Sequence, residues 1–206
     1  MKKLQNKRHR NQHGFTIIEV LIAALITSIL TTATFAFYVR MHNQSENQFE
    51  ISEAQNLARA SLYDINKVLR MAGYKIPATH APYTISGDSL IVYKQGSQPV
   101  DTIYFFLEEF TDAEYATAPD LPSNQKLYKL MKQENSDASQ VVADYITGVR
   151  FTQLSPSSVN VALQVQTAIP DHSKEYATSQ DGEVDFSTGF TTVTLDEQVK
   201  IRNVIS

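Results

Sequence analysis

The chain has 206 residues, no Cys and no Trp, and its 18 basic and 22 acidic residues give a formal charge of −4. This length allows one domain with an appendage, or two small domains. The absence of Cys excludes disulfide frameworks, thiolate nucleophiles, iron–sulfur clusters and Cys-based zinc sites. Residues 1–14 hold five basic residues and no acid, so the other 192 residues carry −9. That acidic body excludes a basic patch large enough for duplex DNA, and we expect no nucleic-acid partner.

A long apolar segment follows the basic N-terminus. Residues 15–39 contain one charge, Glu19, and the last 20 of them contain none. Twenty helical residues span roughly 30 Å, the thickness of a hydrocarbon core. The preceding basic residues place the N-terminus in the cytoplasm by the positive-inside rule. No second run of this length follows, so we expect a chain that crosses the membrane once.

Three interpretations of this segment compete: a cleaved secretory signal peptide, a plain signal anchor, and a specialised membrane segment. The length of the run and the lack of a small-x-small site argue against a signal peptide. A plain anchor explains the length but not Glu19, because a carboxylate in a membrane costs a few kcal/mol and is by default functional, with a partner. Alternatively, Glu19 only reaches up to the membrane interface.

The run from His13 to Leu21, HGFTIIEVL, resembles the N-terminal signature of type IV pilins and type II secretion pseudopilins. The resemblance implies that a prepilin peptidase and methyltransferase cuts after Gly14 and methylates the new amine of Phe15. Glu19 is then the fifth residue of the mature chain, where the family carries Glu. In a filament, the Phe15 amine of one subunit would meet Glu19 of its neighbour and fix the axial register.

The resemblance also implies partners and a location. The expected partners are other minor and major pilins and a pilus assembly platform in the membrane. The expected location is the bacterial inner membrane with a periplasmic head, followed by a pilus or pseudopilus at the cell surface. Major pilins commonly carry Pro or Gly midway along the membrane segment, whereas Val20 to Val39 contains neither. This departure weakens the case for an abundant, filament-forming subunit.

Beyond Arg40 the composition becomes polar but keeps a helical period. Apolar residues recur at steps of three and four, which predicts an amphipathic helix that ends at Gly73. We therefore predict a leader over 1–14, a transmembrane half-helix over 15–39, an amphipathic half-helix over 40–72 and a head over 73–206. The predicted buried stripe comprises Ile51, Ala54, Ala58, Leu62, Ile65, Leu69 and Ala72.

The head is predicted to be a meandering antiparallel sheet packed on the helix, which makes the fold α+β. Gly87 and Asp88 predict a hairpin turn. In the strand Val159–Thr167, odd-numbered apolar residues should face inward, and Asn160, Ala162, Gln164 and Gln166 outward. The predicted strands are Tyr83–Ser86, Ser89–Lys94, Thr102–Leu107, Lys126–Met131, Ile146–Leu154, Val159–Thr167, Phe190–Leu195 and Gln198–Val204.

Two further patches bear on the subtype. The segment Arg59–Tyr74, above all its Arg-Met-Ala-Gly-Tyr ending, resembles W-type (PilW-like) minor type IV pilins. The segment Val199–Asn203 resembles the last strand of both W-type minor pilins and J-type pseudopilins. W-type heads often carry cysteines. This chain has none, so a disulfide of those heads cannot be transferred to it. We expect a minor pilin that primes or caps pilus assembly, with a J-type minor pseudopilin as the alternative.

No motif points to an enzyme, and we expect no cofactor. The three His residues of the mature chain, His42, His80 and His172, do not have metal-ligand spacing. A membrane-anchored periplasmic enzyme or binding protein is the alternative from another class. The loops 108–125 and 168–189 are long enough to be partner surfaces. In the second loop, alternate carboxylates could bind Ca²⁺, although a solvated acidic loop is the favoured interpretation; the candidates are Asp181, Glu183 and Asp185.

Overall fold

The computed structural model describes residues 14–77, 79–96, 100–115, 126–171 and 189–203. The strand order of the sheet follows the chain order, and each neighbouring pair is antiparallel. The predicted α+β fold, with a long N-terminal helix and a meandering sheet, is therefore confirmed. Its elements are α1 (Ile17–Arg70), β1 (Tyr83–Ser86), β2 (Ser89–Lys94), β3 (Asp101–Glu109), α2 (Asp112–Tyr115), β4 (Tyr128–Glu134), β5 (Gln140–Ser155), β6 (Ser158–Gln166) and β7 (Thr192–Lys200).

The chain divides into two compact units, Met1–His42 and Asn43–Ser206. Every described residue of the first unit, from Gly14 onward, is exposed. The second unit contains the remainder of α1 together with the sheet. Its core joins a buried stripe of the helix to the apolar side chains of the sheet, among them Leu90, Phe105 and Leu163. The predicted stripe is buried from Ala54 to Ala72, and Ile51 is half-buried.

The end of α1 is set by Gly73. Its φ of +76° lies in the left-handed region, where glycine pays no steric cost. A Cβ at this position would also lie 2.6 Å from the carbonyl oxygen of Asn203 and 3.1 Å from Cβ of Pro82. The Gly73 amide donates a hydrogen bond to the carbonyl of Tyr93 at 2.8 Å. The predicted stop is therefore also the point where the helix meets the hairpin and the C-terminal segment.

The predicted division of the last strand is wrong. Phe190–Leu195 and Gln198–Val204 were expected as two strands, but β7 is continuous and pairs with β6 without a register shift, from Gln166 opposite Thr192 to Ser158 opposite Lys200. The acidic pair Asp196 and Glu197 resembles a turn in the sequence. At the edge of a sheet, however, such side chains are exposed and do not interrupt the strand.

Two other local expectations are wrong. Gln166 was expected to face solvent but is 1% exposed. The chain beyond β6 returns beside it, where the amide of Thr167 donates to the carbonyl of Thr191 and the amide of Asp171 donates to the carbonyl of Gly189, each at 2.9 Å. The predicted loop at 108–125 begins too early, because β3 continues to Glu109 and α2 follows it.

Candidate processing and assembly site

The predicted cleavage site lies immediately before α1. Gly14 and Phe15 precede the first helical residue, and Phe15 is 87% exposed. A Cβ added to Gly14 would meet no atom within 4 Å among the described residues. The peptide bond between these residues therefore lies outside the helix.

Glu19 forms a reciprocal capping box with Thr16. The backbone amide of Thr16 donates to Oε2 of Glu19 at 2.8 Å, and the Thr16 hydroxyl donates to the same oxygen at 2.9 Å. In return, the amide of Glu19 donates to Oγ1 of Thr16 at 3.3 Å. Such boxes satisfy amide donors that a helix N-terminus leaves free. This capping role was not among the predictions, although Thr-x-x-Glu before an apolar run is its signature.

The capping box does not occupy the whole carboxylate. Both bonds from Thr16 end on Oε2, and Oε1 of Glu19 has no hydrogen-bond partner among the described residues. The carboxylate also lies in the first turn of α1, where the helix dipole stabilises a negative charge. One oxygen can therefore hold the side chain in place while the other remains available to a cation.

Four threonine hydroxyls in the apolar half of α1 are satisfied within the helix. Each of four threonine hydroxyls donates to the carbonyl four residues earlier, at 2.7–2.9 Å. Such bonds remove the need for a polar partner outside the helix and let the side chains face lipid. These residues do not mark a polar channel. They are Thr27, Thr31, Thr32 and Thr34.

Helix α1 is long and apolar enough to cross a membrane, and none of its most apolar window is buried. The first half of the helix therefore matches the membrane segment expected from the sequence. Length and apolar composition together support membrane attachment.

The other candidates that the structure describes, His42 and His80, belong to no metal site among the described residues. His42 stacks on Tyr38 with ring centroids 6.2 Å apart, and Nδ1 of His80 lies 3.3 Å from the Thr79 hydroxyl. Within the described ranges, no group of three or more His, Cys, Asp or Glu residues could hold a metal ion. His172 and the calcium candidates Asp181, Glu183 and Asp185 lie outside the described residues.

Comparison with known proteins gives one family match. Residues 9–35 match the family described as "Prokaryotic N-terminal methylation motif". No curated protein and no solved structure was found to match the chain. The matched residues include Gly14, Phe15 and Glu19, and the motif is the processing signal of type IV pilins and pseudopilins. Together with the confirmed α+β architecture, this motif supports assignment of the chain to the type IV pilins or pseudopilins.

Proposed function

We propose that this protein is a minor type IV pilin, a structural subunit and not an enzyme. The observation that carries the proposal is the position of Glu19, five residues into the predicted mature chain and directly before a helix segment without charge. The subtype closest to it is the W-type minor pilin, on the resemblance of Arg59–Tyr74. The role is to prime or cap a filament with other minor and major pilins.

In the proposed mechanism, a prepilin peptidase cuts the Gly14–Phe15 bond on the cytoplasmic face and methylates the new amine. The head lies in the periplasm, and the assembly platform extracts the subunit from the inner membrane. Oε1 of Glu19 then accepts the Phe15 amine of a neighbouring subunit, while Oε2 remains on Thr16. Because an unpaired charge among packed apolar helices is costly, only the register that pairs these groups is stable.

The uninterrupted membrane segment favours a minor subunit. Val20 to Val39 contains no Pro or Gly, and its threonine hydroxyls bond to their own helix. Major pilins commonly carry Pro or Gly in this segment, which allows the helix to melt locally in the filament. A subunit whose helix stays intact suits a position at the start or tip of a filament more than its repeating body.

Variants of Glu19 and Thr16 test the mechanism, because the two residues share the cap but not the charge. Glu19→Ala should leave membrane insertion and leader cleavage intact and remove the protein from sheared surface filaments. Thr16→Ala removes the two hydroxyl hydrogen bonds of the capping box and keeps the carboxylate, so incorporation should persist. If Thr16→Ala blocks incorporation as strongly as Glu19→Ala, the role of Glu19 is only to cap the helix, and the register mechanism is wrong.

A J-type minor pseudopilin of a type II secretion system is the second candidate, because Val199–Asn203 resembles the last strand of J-type pseudopilins as well as that of W-type minor pilins. Both candidates require the same processing of the N-terminus. Deletion of the gene distinguishes them, since loss of pili with intact protein secretion supports the pilin and the reverse supports the pseudopilin. A membrane-anchored periplasmic enzyme or binding protein would undergo neither cleavage at Gly14 nor methylation.

A further inference from the structure

A groove of about 670 Å³ runs between the last turns of α1 and the edge strand β7. The residues of the helix wall follow Arg59 at intervals of four, seven, eight and eleven positions. This spacing places them on one face of the helix. On the sheet side, the wall is formed by Leu195, Asp196 and Glu197. The helix residues of the groove include Arg59, Tyr63, Asn66, Lys67 and Arg70. We refer to this feature as the α1–β7 groove.

Among the described residues, the strand beside the groove is unpaired along one side. β7 has nine residues, contains neither Pro nor a register shift, and has β6 as its one partner strand within the described ranges. An edge of this kind offers a row of unpaired backbone donors and acceptors to another strand. The opposite edge of the sheet is different, because β1 has only four residues and directly follows Pro82.

The groove has basic side chains on its helix wall and acidic side chains on its strand wall. Arg59, Lys67 and Arg70 are exposed on the helix wall, and none of them forms an ion pair with another described residue. This is a local concentration of cations on a body whose sequence carries −9. Asp196 and Glu197, the acids of the groove, belong to the strand wall and are also exposed.

A buried amide in the same groove lacks a partner. Asn66 is 6% exposed, and its Oδ1 has no hydrogen-bond partner among the described residues. A buried acceptor without a bond costs about 1–3 kcal/mol, so the position calls for an explanation. Rotation of the Asn66 amide toward the groove presents one donor and one acceptor, the pair that a peptide group of an extended chain requires.

From these observations we propose that the α1–β7 groove binds an extended acidic segment of another protein, which adds to the sheet as a strand beside β7. Alternate side chains of an added strand face the helix. Carboxylates at those positions would meet Arg59, Lys67 and Arg70, and the backbone would pair with β7 and with Asn66. The site is separate from Glu19 and does not depend on the role proposed above.

The test measures binding of synthetic peptides to the full-length chain in detergent micelles by fluorescence anisotropy. The probe is a ten-residue peptide that alternates Glu and Thr, and its counterpart alternates Lys and Thr. The acidic peptide should bind and the basic one should not. The double variant Arg59→Glu/Lys67→Glu should weaken binding by about tenfold or more. Arg150→Glu, an exposed residue of β5 outside the groove, makes the same kind of change and should have no effect.

Two further measurements separate strand addition from plain charge attraction. Acidic peptides N-methylated on either the Glu or the Thr nitrogens keep their charge, and only one of them should lose binding, since one set of amides faces β7. Asn66→Leu should reduce binding without lowering the melting temperature, because it removes an unpaired acceptor and keeps an apolar volume. Equal binding of both methylated peptides would overturn the proposal, and so would binding of an oligothymidine strand in place of the acidic peptide.

Discussion

The two parts of helix α1 differ in what surrounds them, although they belong to one continuous helix. From Ile17 to His42 every residue is exposed, and from Ala54 onward a stripe of the helix is buried in the core of the sheet unit. In the first part, the apolar surface contacts no other described residue closely enough to be buried, and its length and composition suit a lipid environment. In the second part the partner is the sheet. The second part of the helix therefore contributes to the folded core, whereas the first part leaves its apolar surface exposed.

The difference between the two parts of α1 can be tested by truncating a leucine side chain in each of them. Leu69 is fully buried, and Leu69→Ala should lower the free energy of unfolding by about 2–5 kcal/mol. Leu25 is 62% exposed, and Leu25→Ala should change it by less than about 0.5 kcal/mol. Denaturation of the full chain in detergent, followed by tyrosine fluorescence, measures both. Equal losses would show that the two parts are not distinct.

A second test concerns the end of the packed part. Gly73→Ala should lower the free energy of unfolding by about 2–4 kcal/mol, because the strained backbone and the overlap with Asn203 add together. Gly87 also has a positive φ, of 58°, but its added Cβ meets nothing within 4 Å. Gly87→Ala is thus the matched control, with an expected loss of about 1–2 kcal/mol. If the two losses are equal, the Asn203 contact does not matter.

A smaller effect is expected at the polar link between the helix and the sheet. Nζ of Lys132 on β4 lies 2.9 Å from Oδ2 of Asp64 on α1, and both side chains are partly exposed. Asp64→Asn should lower the free energy of unfolding by at most about 1 kcal/mol, and high salt should remove the difference. The exposed pair Lys126–Glu109 provides the control, and Glu109→Gln should have no measurable effect. A loss as large as that of Leu69→Ala would mean that polar contacts hold α1 on the sheet.

The smallest effects are pH dependences of opposite sign. Burial and the nearby Glu53 raise the pKa of Glu50, where α1 enters the sheet unit, above its ordinary value of 4.5. Its stabilising contribution is present at low pH and is lost as the pH rises through that pKa, so Glu50→Gln should raise the melting temperature at pH 7.

Glu114 provides the opposite case. Hydrogen bonds from Lys129 and from the Thr111 amide lower its pKa to about 2. Its contribution is therefore complete above pH 4.5 and shrinks as the pH falls toward the folded pKa of about 2, so Glu114→Gln should lower the melting temperature at pH 7 and lower it less at pH 3. Melting temperatures of both variants, measured from pH 3 to pH 7, check the two signs. Parallel pH profiles would contradict the account.

Much of the fold followed from periodicity. The stripe on α1, the stop at Gly73 and the inward residues of β6 were all predictable, because each is a local consequence of burial on one face. The continuity of β7 was not, since Asp196 and Glu197 resemble a turn unless the strand is known to lie at an edge. The burial of Gln166 depends on a chain segment that returns from elsewhere, which no local pattern reports.

The candidate site was predictable to a different degree. A family resemblance was needed to predict roles for Gly14, Phe15 and Glu19, because burial and charge patterns alone do not predict a cleavage or methylation site. The capping box could have been predicted from the Thr-x-x-Glu spacing of Thr16 and Glu19, but only an assembly role was predicted for Glu19. The α1–β7 groove could not be predicted, because its two walls are more than a hundred residues apart in the chain.

The mass of the mature N-terminus is the decisive test of cleavage after Gly14 and methylation of Phe15. The protein should be isolated from membranes of cells that carry a prepilin peptidase, and its N-terminal peptide measured by mass spectrometry. We expect a chain that begins at N-methylated Phe15, with the basic leader removed. A chain that still begins at Met1, or one that is cut near Ala36, would contradict it.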